Sequence, residues 1–143
     1  MFVGEYVHNL DSKKRVTIPS VWRALIGNPR SLYVLPDFNE TCLKVLPASE
    51  MRLKLDRLRQ KTMGDKEANE AQRRLGAVSD VLTWDTQGRI RVSNRLLDFA
   101  GLDTQVVLVG AFQTFEIWSP EHRKVQEAID QKGLQAALKH IDI

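Results

Sequence analysis

Asn9-Leu-Asp-Ser-Lys-Lys-Arg-Val-Thr-Ile-Pro-Ser20 and Trp84-Asp-Thr-Gln-Gly-Arg-Ile-Arg-Val-Ser93 share one pattern. Adding 74 to a residue number between 7 and 27 usually lands on a residue of the same character. Val7 falls on Val81, Leu10 on Trp84, Asp11 on Asp85, Arg15 on Arg89, Val16 on Ile90, Ile18 on Val92 and Gly27 on Gly101. Two copies of one supersecondary unit are the simplest explanation.

Each copy opens with a short strand, 5–10 or 80–84, and a turn centred on Ser12-Lys13-Lys14 or Thr86-Gln87-Gly88. A second strand follows. Period-2 alternation sets Val16 and Ile18 against Arg15 and Thr17, and Ile90 and Val92 against Arg89 and Arg91, so each strand has an apolar face and a cationic face. Pro19-Ser20 and Ser93-Asn94 announce short helices. Trp22, Leu25 and Ile26, matched by Leu96, Phe99 and Ala100, are expected to lay one apolar stripe on the strands. Gly27 and Gly101 stand where a helix ends with positive φ. Strands 32–35 with 42–46, and 106–109 with 115–118, complete two ββαββ units, and Pro47 and Pro120 end the sheet.

A unit of this size exposes too much surface to be stable alone. Two copies can share a core by interleaving their strands into a small barrel about a pseudo-two-fold axis. Beyond each copy lies helical sequence with apolar faces to cover. Met51, Leu55 and Leu58 keep helical spacing, a second stretch follows the break at Gly64-Asp65, and a terminal region carries Val125, Ile129, Leu134, Ala137 and Leu138, interrupted at Gly133.

The 143 residues bound the chain to one ordinary domain or two small intertwined ones. Composition, 43% hydrophobic and 27% charged, is that of a globular protein. The longest apolar run, 106–112, is far short of a membrane span, and the opening Met1-Phe2-Val3-Gly4-Glu5 lacks the features of a secretory signal, so a cytosolic protein is expected. The net charge of +3 is uninformative as a sum, but residues 1–76 carry 14 basic and 9 acidic side chains whereas 77–143 carry 7 and 9. The lone Cys42 reads as a buried structural thiol.

No phosphate loop, zinc-protease or serine-hydrolase motif, or cysteine pair of metal spacing occurs, and His8, His122 and His140 are scattered. Neither catalytic residues nor a metal or other cofactor are expected. What remains is Asp-x-x-x-Arg, at Asp11 to Arg15 and again at Asp85 to Arg89. One reading is a turn clasp, the aspartate bonding the turn backbone and pairing with the arginine. The other is a symmetric cationic patch, whose arginines grip phosphate or the O6 and N7 of guanine while the aspartates orient them. The two can coexist. Lys13, Lys14, Arg15 and Arg23 are expected around the first turn, and Gln87, Arg89 and Arg91 around the second. The run Arg52, Lys54, Arg57, Arg59, Lys61 reads as a solvated helix face.

The two quoted segments, with Met1-Phe-Val-Gly-Glu-Tyr and Val107-Leu-Val-Gly-Ala-Phe-Gln-Thr-Phe-Glu-Ile-Trp118, resemble the MraZ proteins, bacterial members of the SpoVT/AbrB superfamily. The resemblance implies an α+β fold: a pseudo-two-fold swapped-hairpin (AbrB-like) β-barrel of two ββαββ repeats with peripheral amphipathic helices. It divides the chain into a first AbrB-like repeat at 1–50, a helical connector at 51–76, a second repeat at 77–120 and a C-terminal helical region at 121–143. It implies a nucleoid-associated transcriptional repressor, assembled as a homo-oligomeric ring, an octamer or dodecamer. Its double-stranded DNA target would be short G-rich direct repeats upstream of the division and cell-wall gene cluster, including its own operon. Neither a membrane nor a small-molecule substrate is implied. The DNA-contacting arginines map to Arg15 and Arg89, with Asp11 and Asp85 as partners.

Family members usually have glycine just before the arginine, as Gly88 does here, but the first copy has Lys14. If that backbone is left-handed, lysine costs roughly 1 kcal/mol more than glycine. Lys14 is then expected to add a phosphate contact that makes the first loop the stronger binder. Two other readings compete: a ring-forming scaffold whose arginines pair across subunits, and an antitoxin-like regulator, against which the duplicated unit and helical end argue.

Overall fold

The computed structural model describes residues 1–27, 31–61 and 64–143, with 128–130 described for the backbone alone. The elements of the first half are β1 (Glu5–Asn9), β2 (Arg15–Thr17), α1 (Ser20–Ile26), β3 (Ser31–Asp37), β4 (Cys42–Pro47) and α2 (Ala48–Lys61). Those of the second are α3 (Asp65–Val78), β5 (Asp80–Thr83), β6 (Arg89–Arg91), α4 (Asn94–Ala100), β7 (Gln105–Ala111), β8 (Thr114–Trp118) and α5 (Pro120–His140).

The strands are shared between the copies. A six-stranded antiparallel sheet has the order β1-β7-β8-β4-β3-β5, and β2 and β6 form a separate two-stranded ribbon. The first strand of each copy pairs with the third strand of the other, β1 with β7 and β5 with β3. The second strands pair with each other, Val16 lying opposite Ile90. Those two residues are 74 apart, so the pseudo-two-fold passes through their pairing. Lys44 opposite Glu116 is the centre of the β4–β8 ladder on the far side.

The fold is therefore α+β with antiparallel sheets, but the expected closed barrel is not what the ladders make. The sheet ends at β1 and β5. Each three-residue ribbon strand is occupied by its counterpart, and the pairing extends past its ends: the Ile18 N–H donates to the Gly88 carbonyl (2.9 Å) and the Val92 N–H to the Lys14 carbonyl (3.0 Å).

Beneath the ribbon, Val16, Ile18, Ile90 and Val92 are fully buried with Leu32, Val34, Leu43, Val45, Leu108 and Ile117 from the sheet. Alternation along each ribbon strand thus sends its apolar residues inward, as the sequence predicts. Trp22 of α1 packs on Phe115 (ring centroids 4.9 Å apart) and edge-on to Phe2 and Tyr6, and its Nε1 donates to the Val3 carbonyl (3.0 Å).

Three expectations need correction. Leu25 is not part of the buried stripe; it is 53% exposed, while Trp22 is buried and Ile26 packs at the core edge. At about 100° per residue, a face centred on Trp22, Arg23 and Ile26 leaves Leu25 at its margin. In α4 the same face buries Leu96, Leu97 and Ala100, and Phe99 is half buried, its ring meeting Phe38. Second, α5 runs unbroken through Gly133, because one helix-interior glycine costs only about 1 kcal/mol and does not force a break. Third, Ser93 stands before α4 but makes no side-chain cap, and its Oγ is buried without a hydrogen-bond partner among the described residues. Ser119 does cap α5, accepting from the His122 N–H (3.1 Å).

Gly27 and Gly101 end their helices with φ of 70° and 65° as expected. On α2, Met51 is buried, Leu55 and Leu58 are half buried, and the cations at 52, 54, 57, 59 and 61 are exposed.

Candidate nucleic-acid interface

The two Asp-x-x-x-Arg turns have nearly identical geometry. In the first, Asp11 Oδ1 accepts from the N–H groups of Lys13 and Arg15, both at 2.9 Å, and Oδ2 accepts from Arg15 Nε at 2.7 Å. In the second, Asp85 Oδ1 accepts from the N–H groups of Gln87 (2.9 Å) and Arg89 (3.0 Å), and Oδ2 from Arg89 Nε at 2.8 Å. Main-chain bonds close both loops: the Lys14 N–H donates to the Asp11 carbonyl and the Gly88 N–H to the Asp85 carbonyl, each at 3.0 Å. One carboxylate thus shapes the turn with one oxygen and aims an arginine with the other.

Electrostatics follow the geometry. The Arg15 N–H first, then its guanidinium and the Lys13 N–H, hold the Asp11 carboxyl below the ordinary carboxylate range against a partial loss of solvent. Arg89 and Gln87 do the same for Asp85. Both aspartates are anionic at neutral pH.

Lys14 and Gly88 close their loops in the left-handed region, with φ of 62° and 79°. Lys14 therefore carries the strain anticipated for it, roughly 1 kcal/mol relative to glycine. Gly88 is held to glycine twice over. Besides its φ, a Cβ there would lie 2.5 Å from both Nε and Nη1 of Arg23. Arg23 is anchored by donating from Nε to the Ile18 carbonyl (3.1 Å). The expectation that Arg23 belongs to the first turn is thus corrected: its guanidinium lies over the second. Sequence spacing could not reveal a contact between helix α1 and a loop 65 residues away, but one signal was present. Where the first copy has Arg23 the second has Leu97, and where the first has Lys14 the second has Gly88.

The ribbon gathers the cations. Arg15 lies directly opposite Arg91, and Thr17 opposite Arg89, on the outer face of β2 and β6. Like charges directly opposite each other are destabilising, by roughly 0.2–1 kcal/mol. The two aspartates offset part of this, and Arg15 Nη1 comes within 3.9 Å of Asp85 Oδ2, so the clasps meet across the ribbon. Each clasp engages its arginine through Nε. The Nη atoms of Arg89 have no hydrogen-bond partner among the described residues, leaving the end of its fork available. Arg15 and Arg89 side chains are about one quarter exposed, 25% and 26%, whereas Lys13, Lys14, Gln87 and Arg91 are exposed residues.

Several polar and titratable groups elsewhere have structural partners. Cys42 is buried, and burial pushes its thiol pKa far up. Ligand atoms of Asp37, Cys42 and Glu116 lie within 4.8 Å of one another, but Asp37 pairs with Lys44 (3.6 Å) and Glu116 accepts from Trp118 Nε1 (3.0 Å). His122 Nδ1 is 2.9 Å from Ser119 Oγ. No helix among the described residues is long and apolar enough to cross a membrane.

Together these features define an α+β protein built from two interleaved copies of one unit, with an arginine-clasp turn from each copy meeting on a shared cationic ribbon. Comparison of sequences gives that class its family. A family profile described as "MraZ protein, putative antitoxin-like" matches residues 77–139. A protein of Leuconostoc mesenteroides named transcriptional regulator MraZ is 35% identical over 122 residues, covering 85% of this chain and 83% of its own. One of the same name from Lachnoclostridium phytofermentans is 37% identical over 121 residues, covering 85% and 83%. Another from Clostridium acetobutylicum is 31% identical over 145 residues and matches both chains end to end. The chain belongs to the MraZ family.

Proposed function

We propose that this protein is a DNA-binding transcriptional regulator, a repressor that binds short G-rich direct repeats upstream of the division and cell-wall gene cluster, including its own operon. The observation that carries the reading is the ribbon, where Arg15, Arg89 and Arg91 share one face despite their mutual repulsion. The like charges across the ribbon cost stability that the two aspartates offset only in part, and a bound anion would relieve the remainder. With Nε held by aspartate, the terminal Nη pair of Arg89 is without a protein partner among the described residues, and that of Arg15 has only the 3.9 Å approach to Asp85. Such a fork can take guanine O6 and N7 together, at about 1–3 kcal/mol of discrimination per base. Lys13, Lys14 and Gln87, on the exposed turns beside them, are suited to phosphate.

One chain offers few cations, so its own affinity is weak and salt-sensitive. A ring of identical subunits, the assembly that resemblance implies, would present the same ribbon repeatedly, and direct repeats would engage successive subunits with a gain from avidity. Repression would follow from occlusion of the promoter, in the cytoplasm at the nucleoid. The exposed apolar residues of α5, Val125, Leu134 and Leu138, support self-association. The same twofold clasp suits a domain organisation of two repeats with a helical connector between them.

Gel-shift titration on a G-rich direct repeat and on its scrambled version, across a salt series, tests the reading. The repeat is expected to bind more tightly at every salt concentration, with both affinities falling as salt rises. Equal affinity for the two would refute sequence-specific regulation.

A further inference from the structure

The Lys14–Gly88 difference between the copies makes the first loop look richer in positive charge. The spatial arrangement supplies what the second loop lacks. A side chain at Gly88 would leave the backbone into the volume that the Arg23 guanidinium fills, 2.5 Å from Nε and Nη1. In the first loop the same left-handed corner, with φ of 62°, carries the lysine's own side chain. The corner therefore has a cation in both loops. In one it is carried by the corner residue, and in the other it is lent by a helix of the opposite copy.

We infer that Arg23 is the counterpart of Lys14: a DNA-phosphate contact of the second loop, which puts a cation at the corner of both binding loops although their sequences differ there. Its Nε donates to the Ile18 carbonyl, and the Ile18 N–H in turn donates to the Gly88 carbonyl. This fixes the guanidinium at the junction of β2 and the second loop, against Gly88, and Arg23 has no other hydrogen-bond partner among the described residues. The apolar Leu97 occupies the matching position of α4 and is buried. An arginine there would add nothing to a corner that already has Lys14. Arginine with glycine, and leucine with lysine, are two solutions to one requirement.

The inference rests on the DNA-binding reading and is tested beside it, by fluorescence anisotropy with the G-rich repeat over a salt series. Removing one phosphate contact flattens the dependence of log K on log salt by about 0.9 for each subunit engaged. Arg23→Leu and Lys14→Gly should flatten it by the same amount, and both should weaken binding to the specific and scrambled sequences alike. Arg23→Lys should keep the native slope. The swap Arg23→Leu with Gly88→Lys, which rebuilds the first copy's pair in the second, should restore it. Arg23→Gln, polar but uncharged, serves the same comparison if the leucine variant does not melt cooperatively. A native slope for Arg23→Leu or Arg23→Gln, while the parent protein binds in a salt-dependent way, would overturn the inference and leave the DNA-binding reading standing. If the parent shows no salt-dependent binding, the underlying reading itself fails, and the inference with it.

Discussion

Asp11 and Asp85 each make three hydrogen bonds within five residues of chain, and these bonds account for both the turn and the aim of the arginine. Because both carboxyls titrate below their ordinary range in the folded chain, the stabilisation they lend is complete above the unfolded-state value. It is lost only as pH falls through the lower folded values. Melts of the native protein and of Asp11→Asn with Asp85→Asn should differ by a constant amount between about pH 5 and pH 7 and converge in stronger acid. A gap that survives into acid would contradict the clasp. Lys14→Gly should raise stability by up to about 1 kcal/mol in urea denaturation, since it relieves a left-handed non-glycine residue. These residue-scale features were legible in the sequence, because a local turn is built from side chains that are neighbours along the chain. Arg23 was not: its partner is a backbone position in the other copy, and nothing in local spacing encodes that approach.

Among the elements, the in-register repeat revealed the strands, the two short helices and their order, because the same alternation and the same glycine stops occur twice. It did not reveal which strand would pair with which. The crossing of β1 to β7 and β5 to β3, and the separation of β2 and β6 into their own ribbon, are tertiary outcomes. The inward face of α1 was also misjudged, since an i, i+3, i+4 pattern over two turns fixes a helix's orientation only to within about one residue's rotation. The structure makes a sharp distinction between positions on these helices. Leu96→Ala, in a fully buried site, should cost about 2–5 kcal/mol in urea denaturation, and Leu25→Ala less than about 0.5 kcal/mol. A large loss for Leu25→Ala would mean that α1 packs on the strands through the stripe that spacing alone suggested.

For the molecule as a whole, the excess of cations in the first half of the chain does not carry over to the ribbon, where β2 brings Arg15 and β6 brings Arg89 and Arg91. The apolar positions of α5 have a different consequence. Leu134 and Leu138, one helical turn apart, are 61% and 38% exposed, so Leu134→Glu with Leu138→Glu should reduce the mass seen by light scattering while leaving each subunit folded. An unchanged mass would exclude this face from the proposed assembly. The central claim is that the clasped arginines read DNA rather than hold subunits together. Arg15→Ala with Arg89→Ala, followed by light scattering and by gel shift on specific and scrambled repeats, tests that most directly. The account predicts an assembly of native size that has lost its preference for the specific repeat. An assembly that falls apart, or one that still prefers the specific repeat, would contradict it.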